Sequence, residues 1–217
     1  MIKTIIFDMD GVLFDTEKVY DEAWHIILKE KGVKDIDYII SGCRGLTAED
    51  SKKFIDEKSE VKSYGEQCLS DLIHKFNEII EERGVPIKKG VYELLEYLKE
   101  NNYEIGLASS TQKSIVVSHL ERAKMLEYFD NIITGDLVEN GKPDPEIYLK
   151  SCENFNRKPE ECIAIEDSIN GVTAALRAGM KTIMVPDIVQ PTKEIESKLY
   201  KKFESLLDVK EFLKNSN

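Results

Sequence analysis

Two carboxylates stand close together near the start of the sequence, directly after an apolar run. The run Thr4–Phe7 is rich in β-branched residues, Asp8 ends it, and Asp10 and Gly11 follow. An apolar run closed by glycine is typical of a buried strand leaving a sheet. Residues two apart on an extended chain share a face, so these carboxylates would crowd each other unless a cation or a proton relieved them. The pattern indicates either a Mg²⁺-assisted carboxylate nucleophile with a neighbouring acid or base, or a helix cap beside a solvated aspartate.

Three hydroxyl side chains, Ser109, Ser110 and Thr111, follow a second apolar run, IGLA. Together with the backbone amides at the start of a helix, hydroxyls in this position can bind phosphate oxygens. The same residue types also cap helices. The segment therefore predicts either a phosphate site or an ordinary helix start.

A lysine and a second pair of carboxylates complete the set of reactive groups. Lys142 lies in GKPDP, whose glycine and prolines restrict the backbone, so it is either held in a site or solvated in a turn. Glu166 and Asp167 end the apolar run CIAI. Asp167 would either join Asp8 in a Mg²⁺ site or cap the next helix, and Ser168 is a second candidate for the cap.

Taken together, the four segments predict a phosphoryl-transfer site. Mg²⁺ binds few protein ligands and keeps water and substrate phosphate in its shell. Asp8 would attack phosphorus and form an aspartyl-phosphate, and Asp10 would protonate the leaving alcohol and then activate water. Lys142 and the metal would offset the charge on the transferred group.

Strands and helices alternate along most of the chain, and this alternation must position the four segments. After the first run, strands are predicted over 103–108, 131–134, 162–165 and 181–185, with helices over 16–32, 91–101, 112–123, 145–155, 168–178 and 204–214. Such alternation favours an α/β fold with a parallel sheet and helices on both faces. From 33 to 84 the pattern stays helical, with candidate helices near 47–57 and 65–83 and a capping arrangement at Thr47. We therefore expect a core of residues 1–15 and 84–217, with an inserted α-helical cap over 16–83.

Composition excludes several classes of partner. The chain has 217 residues and a formal net charge of −11, which argues against nucleic acid and anionic membranes. No apolar run is long enough to span a bilayer. Because the predicted first strand begins at residue 4, no signal peptide is expected. The four scattered cysteines are expected to be free thiols in the cytoplasm. A small phosphorylated metabolite is the expected partner, and the protein is expected to be a monomer or a weak homo-oligomer.

The set of motifs resembles a known family. DMDGVLFDT, the SST after IGLA, GKPDP and IEDSINGVTAALRAGM agree in order and spacing with haloacid-dehalogenase-superfamily phosphohydrolases of the β-phosphoglucomutase-like subgroup. The resemblance implies a Rossmann-like three-layer core, an inserted helical cap and obligatory Mg²⁺. It implies Asp8 as nucleophile, Asp10 as acid/base, and Ser109 and Lys142 on the phosphate. It also implies metal ligation by Asp8, the Asp10 backbone carbonyl and Asp167, with Glu166 in or near the metal's shell. Because true dehalogenases lack the second aspartate, Asp10 argues against C–Cl hydrolysis.

Departures from the family pattern favour a phosphatase over a mutase. β-Phosphoglucomutase carries an arginine, a histidine and a threonine where this chain has Ala48, Tyr20 and Phe14. A mutase must grip a second phosphate, and loss of a bidentate guanidinium weakens such a grip. Arg44 and Lys52 lie nearby but do not match by position. The sequence thus predicts hydrolysis of a small phosphomonoester such as a sugar phosphate, with β-phosphoglucomutase activity as the alternative.

Two features remain open between functional and structural roles. Trp24 either lines the substrate pocket or packs in the core of the cap. The aspartates, hydroxyl and lysine are also found in receiver domains, which accept a phosphoryl group without turnover. Receiver domains are much shorter and have no helical block after the first strand. A non-catalytic phosphate binder on the same fold is a further alternative.

Overall fold

The computed structural model describes residues 3–43, 46–59, 61 and 63–216. The strands are β1 (Thr4–Phe7), β2 (Glu104–Ser109), β3 (Asn131–Thr134), β4 (Cys162–Glu166), β5 (Lys181–Met184) and β6 (Lys201–Lys202). The helices are α1 (Thr16–Glu30), α2 (Ile36–Cys43), α3 (Ala48–Lys58), α4 (Gly65–Arg83), α5 (Val91–Glu100), α6 (Lys113–Arg122), α7 (Glu146–Asn154), α8 (Ile169–Ala178), α9 (Lys193–Glu196) and α10 (Leu206–Asn215). The predicted strands and most predicted helices are confirmed to within about two residues at each end. The sequence did not predict α2, α9 or β6.

Within the described residues, the strands form one six-stranded parallel sheet in the order β3-β2-β1-β4-β5-β6. From β1 the chain fills one side of the sheet with β2 and β3, then returns to fill the other side with β4 to β6. Because parallel strands end at the same edge, the residues after β1, β2 and β4 converge where the order reverses. Ligands of open α/β sheets bind at such a switch point.

Helices flank the sheet, and the predicted α/β fold class is confirmed. On one face, α7 packs against β2 and β3, and α8 packs against β4 and β5. The buried cluster beneath them includes Ile6 of β1 and its register partner Ala164, both fully buried. Small residues such as Ala174 and Ala175 line this contact and allow the helix to approach closely. Parallel strands covered in this way are buried along their whole length, as the apolar runs predict.

The chain separates into two compact units. One runs to Asp15 and resumes at Ile87, and the other is Thr16–Pro86. The second unit ends three residues after residue 83, where the sequence predicts the end of the inserted helical cap. It contains α1 to α4 around its own apolar core, in which the rings of Tyr20 and Phe76 stack with centroids 4.0 Å apart.

Local signals read from the sequence are present at several helix ends. The side chain of Thr47 accepts a hydrogen bond from the Asp50 amide at the start of α3, and Ser168 does the same for Gly171 at the start of α8. The four cysteines are free and buried. Across the described ranges, no helix is both long and apolar enough to cross a membrane.

Candidate active site

Lys142 links two carboxylates at the carboxyl edge of the sheet. Its Nζ lies 2.5 Å from Asp8 Oδ1 and 2.6 Å from Glu166 Oε1. It also donates to the carbonyl oxygen of Ala108, at 3.0 Å. Asp8 directly follows β1, Glu166 ends β4 and Ala108 lies in β2, which are neighbouring strands. The ammonium group therefore lies where the strand order reverses. The side chain of Lys142 is therefore buried among these partners and not solvated in a turn.

The loop that carries Lys142 is held on both sides. The amide of Asp144 donates to the Gly141 carbonyl at 3.0 Å, which closes a turn around the lysine. Asp144 Oδ1 then accepts from the Glu146 amide as α7 begins. Arg177 of α8 donates to the Pro143 carbonyl at 3.0 Å. These contacts restrain the backbone at the base of a long side chain whose own rotamers are numerous.

Glu166 is fully buried and makes hydrogen bonds through both carboxylate oxygens. Oε1 accepts from Lys142 Nζ and from the Tyr148 hydroxyl, the latter at 2.7 Å. Oε2 accepts from the Asp167 amide at 3.2 Å and from Ser168 Oγ at 3.3 Å. Burial raises the pKa of Tyr148 well above its ordinary value, and the carboxylates of Glu166 and Asp8 raise it further, so the phenol acts as a donor.

The carboxylates of Asp8, Glu166 and Asp167 form an acidic cluster. One oxygen from each lies within 4.8 Å of the others. Burial, with the charges of neighbouring carboxylates, raises the pKa of Asp8 to about 8, although Lys142 acts in the opposite direction. Burial and the nearby Asp8 and Glu166 raise the pKa of Asp167 to about 9. Burial alone would lower the pKa of Lys142, but its two carboxylate partners raise it above the usual range.

The cluster fits a hard divalent cation. The carboxylates of Asp8 and Glu166 are buried, that of Asp167 is partly buried, and Lys142 supplies one ammonium group beside them. Ionisation of all three carboxylates therefore leaves an excess of negative charge. Hard cations such as Mg²⁺ take carboxylate oxygens as ligands. Gly11 also leaves room at the cluster, because a Cβ at this residue would overlap the carboxylate of Asp167. Gly11 has φ of 83°, which favours glycine as well.

Asp10 lies apart from this cluster and has a different partner. Its Oδ2 accepts a hydrogen bond from Thr111 Oγ1 at 2.8 Å. The side chain of Asp10 is therefore not grouped with the three clustered carboxylates. Ligation through its backbone carbonyl, which the family resemblance implies, stays a prediction.

The hydroxyl segment at the end of β2 has a buried part and an exposed part. Ser109 is fully buried, and its Oγ accepts from the Thr111 amide at 3.1 Å. A serine hydroxyl that accepts one hydrogen bond still has its own hydrogen to donate. Ser110 is exposed. The phosphate roles of Ser109 and Ser110 stay predictions.

Three residues that the sequence analysis considered for substrate binding belong to the helical segment, namely Trp24, Arg44 and Lys52. Trp24 is buried in its apolar core, which is the structural alternative raised by the sequence, and a role in substrate binding stays a prediction. Lys52 forms an ion pair with Glu66 of α4. Arg44 lies outside the described residues.

The structure adds an ion pair that the sequence did not predict. Lys88 Nζ lies 2.6 Å from Asp187 Oδ1, after the end of β5. The negative charge of Asp187 also raises the pKa of Asp167, although by less than burial and the charges of Asp8 and Glu166 do. The short sequence PDI around Asp187 has the composition of a turn, so nothing in it indicated a place beside the acidic cluster.

The chain is similar to proteins of known family. Residues 5–185 match the family model of haloacid dehalogenase-like hydrolases. A phosphorylated carbohydrates phosphatase from Thermotoga maritima is 35% identical over 186 residues, covering 84% of this chain and 84% of that protein. A β-phosphoglucomutase from Bacillus subtilis is 30% identical over 191 residues, covering 85% and 83%. A crystal structure described as that of a β-phosphoglucomutase from Thermotoga maritima aligns with this chain at a TM-score of 0.85 and 31% identity. The alignment covers 99% of each chain.

Proposed function

Because the chain belongs to the haloacid dehalogenase-like hydrolase family, we propose that it is a Mg²⁺-dependent phosphatase that hydrolyses a small phosphomonoester through an aspartyl-phosphate. The observation that carries the proposal is the contact between Lys142 Nζ and Asp8 Oδ1 at 2.5 Å, within the acidic cluster at the sheet edge. A carboxylate that is buried beside a fixed ammonium has both the nucleophile and the charge that phosphoryl transfer needs.

Each proposed step uses a residue whose position is described. Asp8 attacks phosphorus, and the ester bond to the leaving alcohol breaks. Asp10 donates a proton to that alcohol and later removes one from the water that hydrolyses the aspartyl-phosphate. Lys142 Nζ and the hydroxyl of Ser109 donate to the phosphoryl oxygens and offset the charge that develops on them.

Asp8 and Asp167 would hold the metal ion, together with the backbone carbonyl of Asp10, and Glu166 would lie beside it. A bound Mg²⁺ neutralises charge on the phosphoryl group and lowers the pKa of the acidic cluster. Without a cation, burial would favour a proton on Asp8 and make it a poor nucleophile. The donor set thus supports the cofactor that the family resemblance implies.

A phosphorylated carbohydrate is the substrate class that we propose. The relative named as a phosphorylated carbohydrates phosphatase is 35% identical to this chain. The β-phosphoglucomutase at 30% identity supports mutase activity as the second candidate. Ala48 stands where that mutase subgroup has an arginine, and an alanine cannot bind a second phosphate as a guanidinium does.

A panel of sugar phosphates tests the function. We expect Mg²⁺-dependent, multiple-turnover release of phosphate from p-nitrophenyl phosphate and from at least one sugar phosphate. A receiver-like phosphoacceptor would stop at one equivalent, and a binding protein would release none. The panel includes β-glucose 1-phosphate, with glucose 6-phosphate measured in parallel. Conversion to glucose 6-phosphate with little release of phosphate would favour the mutase.

Substitution of the nucleophile gives the sharpest test of mechanism. Asp8→Asn should abolish phosphate release, because an amide is not a nucleophile toward phosphorus. The matched control is Asp208→Asn on the surface of α10, where the carboxylate accepts a hydrogen bond from the Ser205 hydroxyl. This control should keep wild-type turnover. Appreciable turnover by Asp8→Asn would exclude Asp8 as the nucleophile.

A further inference from the structure

Tyr148 is a fully buried tyrosine beside the proposed catalytic groups, and none of the proposed steps uses it. It lies in α7, six residues after Lys142. Its hydroxyl donates to Glu166 Oε1 at 2.7 Å. Phenylalanine would fill the same space, so the apolar environment does not by itself explain a hydroxyl at this position. The hydroxyl must be understood through its partner, Glu166.

One carboxylate oxygen joins Tyr148 to Lys142. Glu166 Oε1 accepts from the Tyr148 hydroxyl and from Lys142 Nζ, which lies 2.6 Å away. The other oxygen accepts from the Asp167 amide and from Ser168 Oγ. With donors on both oxygens the carboxylate is fixed in rotation as well as in position. Buried hydrogen-bond networks in which every member is satisfied restrain their members strongly.

The ring of Tyr148 also contacts the lysine. Lys142 Nζ lies 5.0 Å from the centroid of the ring, within the range of a cation–π interaction. The ammonium thus has Asp8 on one side, Glu166 on another and an aromatic ring nearby. Lysine has four rotatable bonds and a single charged group, so its position depends on such neighbours.

We propose that Tyr148 is a positioning residue for phosphoryl transfer, whose hydroxyl fixes the Glu166 carboxylate so that Glu166 holds Lys142 Nζ against Asp8. This inference rests on the proposed function. Without the hydroxyl, Glu166 Oε1 keeps the lysine as a partner but loses the donor that sets its direction. The lysine then moves with the carboxylate, and small displacements of a group that acts on the transition state are costly.

The test compares two tyrosines that each lose one hydrogen bond. Tyr148→Phe removes the hydroxyl and keeps the ring. The matched control is Tyr92→Phe, because the hydroxyl of Tyr92 donates to the Ala123 carbonyl at 2.6 Å, outside the proposed catalytic groups. We expect Tyr148→Phe to lower kcat about tenfold, in the range found for residues that orient catalytic ligands, with KM changed less than about twofold. Tyr92→Phe should keep both constants at the wild-type value.

A second measurement follows Lys142 without relying on turnover. The order parameter of its ammonium group is obtained from ¹⁵N relaxation, with Lys142→Arg used to assign the signal. We expect this order parameter to fall in Tyr148→Phe and to be unchanged in Tyr92→Phe. Both phenylalanine variants should stay folded at the temperature of the assay. Tyr148→Phe should have the lower unfolding temperature, because its lost hydrogen bond is fully buried and ends on a carboxylate.

Three outcomes would overturn the inference. These are a kcat of Tyr148→Phe equal to that of Tyr92→Phe, an unchanged order parameter for Lys142, or a Tyr148→Phe protein that is unfolded at the temperature of the assay. The last would make the hydroxyl a requirement of folding. A wild-type protein that releases no phosphate from any ester would instead contradict the proposed function, so the two failures are distinguishable.

Discussion

Two aspartates that lie two residues apart in the sequence have separate environments in the structure. Asp8 is buried in the acidic cluster and contacts Lys142, whereas the carboxylate of Asp10 is held by the hydroxyl of Thr111. The chain bends at Met9, between the two aspartates, so it does not continue the extension that would have kept both side chains on one face. Different environments allow two identical side chains to act as nucleophile and as acid or base.

Asp10→Asn separates the role of this residue from metal binding. The amide cannot transfer a proton, so we expect kcat to fall by roughly a hundredfold or more. Mg²⁺ affinity, measured by calorimetric titration, should change little because the Asp10 carboxylate is not part of the cluster. If Asp10→Asn and Asp8→Asn lost Mg²⁺ affinity equally, the Asp10 side chain would be a metal ligand.

At the scale of elements, two helices on the same face of the sheet organise the site. The loop before α7 carries Lys142, and α7 itself carries Tyr148. Helix α8 begins with the Ser168 cap, and its first turn packs against the carboxylate of Glu166. A Cβ at Gly171 would overlap that carboxylate. The close approach of α8 to the end of β4 therefore depends on a residue without a side chain.

Gly171→Ala should be harmful even though it lies inside a helix. Replacing an ordinary helical glycine by alanine favours the helix by about 1 kcal/mol. Here the added methyl group must displace Glu166, so we expect a lower free energy of unfolding and a lower kcat. The control is Gly141→Ala, since a Cβ at Gly141 meets nothing within 4 Å. Equal stability of the two variants in urea unfolding would contradict the packing argument.

At the scale of the whole molecule, the acidic cluster couples stability to pH and to metal. The pKa values of Asp8 and Asp167, about 8 and about 9, lie above the value of roughly 3.9 for an aspartate in an unfolded chain. At pH values between the aspartate pKa of the unfolded chain and those of the folded chain, the folded chain binds more protons than the unfolded chain. Its free energy of unfolding therefore falls as the pH rises through this window.

We expect the protein in a chelator to be less stable at pH 8 than at pH 6, as measured by urea unfolding. A metal ion competes with the protons, so its apparent affinity rises with pH. Mg²⁺ should thus stabilise the protein more at pH 8 than at pH 6. At either pH, a free Mg²⁺ concentration one hundred times the Kd at that pH raises the free energy of unfolding by roughly 2.7 kcal/mol. In Asp8→Asn the pH dependence in chelator should become smaller. Stability that rose from pH 6 to pH 8 in chelator would contradict the raised pKa values.

The elements that the sequence missed lacked the patterns on which prediction depends. β6 has two residues and α9 has four, which is too short for any periodicity. α2 reads IDYIISGC and combines β-branched residues with glycine, which are poor helix formers. It is held as a helix by packing, with Ile39, Ile40 and Cys43 buried in the core of its unit.

The α/β alternation and the strand ends that carry Asp8, Ser109 and Glu166 can be predicted from the sequence, because apolar runs closed by polar or glycine residues are local signals. Which side chains contact one another directly at those strand ends depends on tertiary packing. Tyr148 reaches Glu166 across 18 residues of sequence, Lys88 reaches Asp187 across 99, and Thr111 reaches Asp10 across 101. Hydrogen bonds and ion pairs of this kind form between side chains that packing brings together, and no local pattern encodes the partner of a buried polar group.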